Sequence, residues 1–256
     1  MRMEKGELPL ALLPGAHRIQ VNWVADNGTS LRTRLPRVDL EVPSSNIRTE
    51  VRIPGDRWVL YAGGTGVGPA ILYWGELIVF CLLAVGLGRT RRTPLRSHEW
   101  LILGLGLSTF SWSVLLLFAV WIFAMRWREE LAAEQLSARR FNLMQVVLII
   151  LSVATVVSLI AAIPYGLLAN PDMRIAGFGQ QANELSWFND QAAGELPTPW
   201  VLSVSLWWYK AAMLLWALWL AFALVRWLPI AWKALGTGGF WRKTLRPVTP
   251  PPAAGG

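Results

Sequence analysis

Four long apolar runs, at 67–88, 99–125, 143–168 and 199–225, limit what this sequence can fold into more than any other feature. A helix needs about 20 apolar residues to cross a bilayer core about 30 Å thick. Each run reaches that length, and the charges within them are few: Glu76, Glu99 and Lys210. The chain is 54% hydrophobic and 16% charged, against about a quarter charged in ordinary soluble domains. It therefore lacks the polar surface to wrap four such segments in water, and a multi-pass membrane protein is expected.

The formal net charge of +8 raises the question of nucleic acid. A nucleic-acid surface would place basic residues on one face among aromatics. Here they sit at the ends of the apolar runs: Arg89, Arg91, Arg92 and Arg96; Arg126 and Arg128; Arg139 and Arg140; Arg226, Lys233, Arg242 and Lys243. That is the distribution of membrane-flanking anchors and cytoplasmic loops. The bilayer is the expected partner, and nucleic acid is not.

Residues 1–64 read as a small antiparallel β head. Ile19, Val21 and Trp23 alternate with polar residues, Asp26-Asn27-Gly28 is a turn signal, and Leu31, Thr33 and Leu35 resume the alternation. Val38, Leu40 and Val42 follow, then Ile47, Thr49, Val51 and Ile53. A sheet of four short strands is marginal alone, so the head is expected to lean on the membrane or on a partner. Residues 65–243 form the helical membrane domain, 169–198 an exposed loop, and the Pro/Ala/Gly-rich 244–256 a disordered tail.

Charge bias shapes the expected topology. Four simple spans would put the basic loops 89–96 and 126–140 on opposite sides, against the positive-inside tendency. A re-entrant hairpin over 99–125 returns both to one side, together with the basic segment after Arg226. The loop 169–198, with Arg174 its only basic residue, then lies with the head on the other side. Gly104, Gly106, Ser108 and Ser111 supply small residues for the bend. The alternative is a single long helix in which they form a packing face. Three full spans plus this hairpin, or a fourth span, are expected.

The stretches 13–18 (Leu-Pro-Gly-Ala-His-Arg), 66–76 (Gly-Val-Gly-Pro-Ala-Ile-Leu-Tyr-Trp-Gly-Glu), 103–108 (Leu-Gly-Leu-Gly-Leu-Ser) and 208–214 (Trp-Tyr-Lys-Ala-Ala-Met-Leu) carry a likeness. The chain resembles the C-terminal portion of large bacterial inner-membrane proteins, in which a β-rich periplasmic region precedes a Trp-rich membrane domain. The resemblance implies architecture, a periplasmic head and an inner-membrane location. It implies no activity.

Catalytic constellations are sparse. His17 and His98 are the two histidines, too few for a zinc site of three or four ligands or an His-Glu-x-x-His protease. Cys81 is a lone cysteine, read as a small apolar residue. Gly63-Gly64-Thr65-Gly66-Val67-Gly68 lacks the Lys-Ser/Thr of a phosphate loop and reads as a flexible joint. No enzyme activity and no cofactor are expected.

Glu76 and Lys210 are charges set inside apolar runs, where an ionisable group is costly and seeks a partner. Counted from Pro69 and Pro199, they lie roughly 10 Å and 16 Å deep at 1.5 Å per residue. An ion pair between them is expected. Trp74, Trp100, Trp127, Trp187, Trp200, Trp227, Trp232 and Trp241 fall near expected interfaces, and Trp207, Trp208, Trp216 and Trp219 lie on the last run. The expected function is a non-enzymatic anchor or scaffold subunit with protein partners in a membrane complex. The alternatives are a transporter or channel subunit organised around Glu76 and Lys210, and a cofactor-binding subunit among the tryptophans.

Overall fold

The computed structural model describes residues 14–24, 28–90, 93–108, 112–131, 136–177 and 183–242. Within them the chain order is β1 (Arg32–Arg34), β2 (Ser44–Arg52), β3 (Arg57–Gly63), β4 (Ala70–Ile71), α1 (Tyr73–Arg89), α2 (Ser97–Ser108), α3 (Trp112–Glu130), α4 (Ala138–Leu168), β5 (Ile175–Ala176), β6 (Glu184–Ala192), β7 (Trp200–Ser205) and α5 (Leu206–Gly236). The expected turn at Asp26-Asn27, Ser111 and the tail lie outside the described residues.

The head segments pair with distant chain and not with one another. One sheet has the order β1-β7-β3, a second is β2-β6, and a third is β4-β5, all antiparallel. Val51, Ile53, Val59 and Ala62 from the head pack with Leu185, Trp187 and Val201 from the distant strands. Two expectations are corrected here. The segment 169–198 is no simple exposed loop, since it contains β5 and β6. The last apolar run begins as a strand, because β7 occupies 200–205 before α5 starts. Short apolar runs at a strand–helix boundary carry no periodicity that separates the two. The alternating residues Ile19, Val21 and Trp23 join no strand and are exposed.

Gly63–Gly68 is a packed connector and not a flexible joint. Val67 pairs with Phe188, and Gly66 has φ +91° with Asn189 so close that a Cβ would overlap its side-chain oxygen. Both the dihedral and the contact exclude larger residues.

The helix directions follow from contacts. Gly88 at the end of α1 abuts Ser97 at the start of α2, and Tyr73 Oη lies 3.4 Å from Ser108 Oγ at the opposite ends. These two helices are antiparallel. Against α5, Glu99 meets Arg226 and the Trp216 indole donates to Ile102 O, so α2 runs opposite to α5. Along α3, Phe118 packs on Trp227, and Glu129 meets Lys233 one end further on. Helices α2 and α3 thus form a hairpin whose outer ends both lie at the end of the bundle away from the sheets, hereafter the distal end. Helix α4 returns towards the sheets, with Trp121 bonded to Ser152 and Gln145 to Leu235 O.

Gly104 and Gly106 lie inside α2 and are not the bend. A Cβ on Gly104 would meet Phe80 at 2.1 Å, and one on Gly106 would meet Trp216 at 2.1 Å. Their role is close approach between helices. Ser108 ends α2, its hydroxyl donating to Leu105 O, and α3 starts at Trp112.

Among the described residues two helices, α4 and α5, each of 31 residues, are long and apolar enough to span a membrane. The expectation of three full spans is not met. Helix α1 has 17 residues, about 25 Å at 1.5 Å per residue, and α3 carries Arg126, Arg128, Glu129 and Glu130 within its 19 residues.

Candidate functional site

Glu76 falls in the first turn of α1, where a carboxylate is favoured by the positive end of the helix dipole. The chain entering α1 is held by the segment that follows α4. Ala70 and Ile71 pair with Ala176 and Ile175, Leu72 N donates to Arg174 O, and Tyr73 N donates to Met173 O. This strap delivers Arg174 to the Glu76 carboxylate, and the two form an ion pair.

Arg174 is shaped for that task by its own backbone. Its φ is +47°, and its N–H donates to Asp172 Oδ1 at 2.8 Å, a local turn that stabilises a left-handed residue. The guanidinium also lies 5.6 Å from the centre of the Trp112 ring at the start of α3. Trp112 packs on Phe80 of α1 at 4.7 Å. Arg174 therefore ties α1, the hairpin and the strap together. Glu76 Oε2 is enclosed without a hydrogen-bond partner, as is the Trp112 indole nitrogen.

The structure does not bring Glu76 and Lys210 together as an ion pair. Lys210 Nζ lies 5.7 Å from the centre of the Trp207 ring. The reason is the start of α5. Because 200–205 is a strand, Lys210 is four residues into the helix, about 6 Å at 1.5 Å per residue. Glu76 is likewise three residues into α1, and both charges sit near the sheet end. Arg174 was identifiable as the one basic residue of its loop, but its reach to Glu76 depends on the β4–β5 pairing, and two-residue strands leave no periodic trace.

Beside the strap lies a cleft of about 290 Å³, lined by Arg57, Trp58, Asn170, Asp172, Arg174 and Asn183 among others. Arg57 is committed to Ser30 O, Ser203 O and Ser203 Oγ. Trp58 packs edge-on against Tyr209 at 5.4 Å. Among the described residues no group of three or more His, Cys, Asp or Glu side chains converges as metal ligands would.

The tryptophans divide by burial. Trp100, Trp187 and Trp227, read from sequence as interfacial, are core residues at 1–2% exposure. Trp74, Trp207 and Trp208 are exposed towards the sheet end, and Trp127, Trp232 and Trp241 towards the distal end. Comparison with protein-family models, curated proteins and solved structures finds no match for this chain.

Proposed function

We propose that this chain is a non-enzymatic membrane anchor that holds a β head rigidly at the surface of a bacterial inner membrane, where the head docks periplasmic material. The carrying observation is the way the head is built. Its sheets combine strands from before α1 with strands from after α4, and β7 passes into α5 at Ser205, whose hydroxyl accepts from Trp207 N. Leu206 N donates to Asp56 O and the Trp74 indole donates to Leu60 O. A head joined at so many points is held in one orientation, as a scaffold requires.

Three features support placement in a bilayer. The apolar windows of α4 and α5 are only 22% and 33% buried, leaving Ile150, Val153, Leu215 and Phe222 outward, more than a water-soluble surface tolerates. Exposed Trp207 and Trp232 on α5 are 25 positions apart, about 37 Å at 1.5 Å per residue, close to the separation of two membrane interfaces. Basic residues flank the helix ends away from the sheets, Arg89, Arg96, Arg139 and Arg140 among them, which fits the cytoplasmic side. In this placement α4 and α5 cross, and the α2–α3 hairpin enters and leaves from the cytoplasm. The resemblance described above supplies the periplasmic assignment of the head.

The test is photo-crosslinking in intact cells from Leu31, Leu40 and Val42 on the head and from Leu215 on the lipid-facing side of α5. The anchor reading expects one shared protein adduct from the head positions and none from Leu215. A second reading, transport, draws on the partnerless Glu76 Oε2. It takes over if head adducts are absent and Glu76→Gln abolishes ion flux in proteoliposomes.

A further inference from the structure

The two edges of the β2–β6 sheet differ. On the outer side of β6, Phe188 and Val67 exchange two backbone hydrogen bonds of 2.9 Å each, so that edge is closed. On β2, Ile53 N donates to Asn183 O on the β6 side at 2.9 Å. Backbone groups alternate in direction along an antiparallel strand, so the N–H and C=O groups of Ile47, Thr49 and Val51 also face β6. Those of Arg48, Glu50 and Arg52 face the other way. Among the described residues no strand or bridge pairs with that edge, and the side chains of all three are exposed.

A strand of nine residues with an open edge is a template for a further strand. Its charges restrict which strand fits. Arg48 and Glu50 form an exposed ion pair of 3.0 Å on one face, and a strand laid alongside must present the opposite sign at each position. The sequence that does so is β2 itself. Two copies run antiparallel about a two-fold axis at Thr49 bring Arg48 opposite Glu50 of the second copy, and Glu50 opposite Arg48. A two-fold axis at Arg48 or at Glu50 would instead oppose like charges. The Thr49 register also suits the backbone: Arg48 and Glu50, whose backbone groups both face outward, form a hydrogen-bonded pair, and Thr49 on the axis forms a non-hydrogen-bonded one. On the inner face it sets Ile47 against Val51, so a row of β-branched side chains continues from one copy into the next. Asn46, with φ +55°, departs from the extended backbone and ends the regular edge.

We propose that the open edge of β2 is a self-association surface, at which two copies of this chain join their β2–β6 pairs into one four-stranded sheet with the order β6-β2-β2-β6. Two strands are marginal alone, and four with a shared apolar face are not. The contact is small by the standard of stable interfaces, so association should depend on protein concentration. The proposal concerns the head edge only and rests neither on the bilayer placement nor on the docking role proposed above.

The experiment uses the full chain in a nonionic detergent and has two arms. Light scattering coupled to gel filtration, across a dilution series, should show a monomer–dimer equilibrium. Glu50→Arg opposes like charges twice across the axis and should weaken association about tenfold. Arg48→Glu combined with Glu50→Arg restores opposite signs and should recover it. In the second arm, with Cys81→Ala as background, Thr49→Cys should cross-link between copies on mild oxidation, because facing residues of a non-hydrogen-bonded pair have Cα atoms about 4.5 Å apart. Arg52→Cys, at a more exposed position away from the axis, should not. Wild type that stays monomeric at every concentration overturns the proposal and leaves the edge to a strand from another protein. Undiminished association of Glu50→Arg, no recovery in the double variant, or equal cross-linking at positions 49 and 52 overturns it as well. Should Glu50→Arg unfold, the cysteine arm decides, since Thr49→Cys keeps both charges. Loss of head crosslinks to a different protein would sink the anchor reading while leaving this result standing.

Discussion

Arg174 closes on the Glu76 carboxylate across 98 positions of sequence, and in doing so fastens the segment after α4 to the first turn of α1. The side chains are 34% and 28% exposed, so solvent screens the pair in part. A double-mutant cycle of Glu76→Gln with Arg174→Met should give a coupling of about 1 kcal/mol, read from unfolding in detergent. The same cycle with Lys210→Met should show additivity. Coupling of Glu76 to Lys210 instead would mean that the strap does not hold Arg174 where the structure has it.

The interlocked head can be checked covalently. Ser45 stands opposite Gln191 in the β2–β6 ladder, and both are exposed. Facing residues of an antiparallel pair have Cα atoms about 4.5–5.5 Å apart, within the range a disulfide bridges. In a Cys81→Ala background, Ser45→Cys with Gln191→Cys should cross-link on mild oxidation and shift gel mobility without reductant. Ser45→Cys with Asp190→Cys, one register out, should not.

Apolar length located the helices, because a run such as 143–168 has few other folds open to it. It misplaced the ends: α5 begins at Leu206 and runs to Gly236, since Pro199-Trp-Val-Leu-Ser-Val is as apolar as a helix but is recruited by β1 and β3. The alternation of Ile47, Thr49, Val51 and Ile53 marked β2 correctly. Its partner β6 was missed because the Asn and Gly residues around it signal a loop. The β4–β5 clamp that creates the Glu76–Arg174 contact is purely tertiary. Charge located helix ends: Arg89 closes α1, and Arg139 and Arg140 fall in the first turn of α4.

Helix glycines should separate by what surrounds them. A methyl on Gly106 meets Trp216, whose indole is fixed by its bond to Ile102 O. Gly106→Ala should therefore cost about 1–3 kcal/mol, and less in a Trp216→Phe background. Gly86 on α1 has nothing within 4 Å of an added Cβ, and alanine is the better helix former by about 1 kcal/mol. Gly86→Ala should raise the melting temperature. A loss at Gly86 equal to that at Gly106 would show that helix packing is not what separates them.

The hairpin makes a topological prediction. His98 in the first turn of α2 and Ser137 before α4 are both exposed and lie at the distal end, while Thr29 and Gln191 are exposed on the head. With Cys81→Ala as background, single cysteines at these four positions are treated in intact cells with a membrane-impermeant maleimide. Thr29→Cys and Gln191→Cys should label, and His98→Cys and Ser137→Cys should label only after permeabilisation. The physical reason is that α2 and α3 are antiparallel: Glu99 meets Arg226 and Glu129 meets Lys233, both on the distal stretch of α5. A chain leaving 97–130 on the opposite side would have to pull one of those ion pairs, and the hydrogen bond from Arg128 Nη2 to Thr237 O, through the bundle. Labelling of His98→Cys and Ser137→Cys from different sides would establish that 97–130 crosses the membrane, and the hairpin would be excluded.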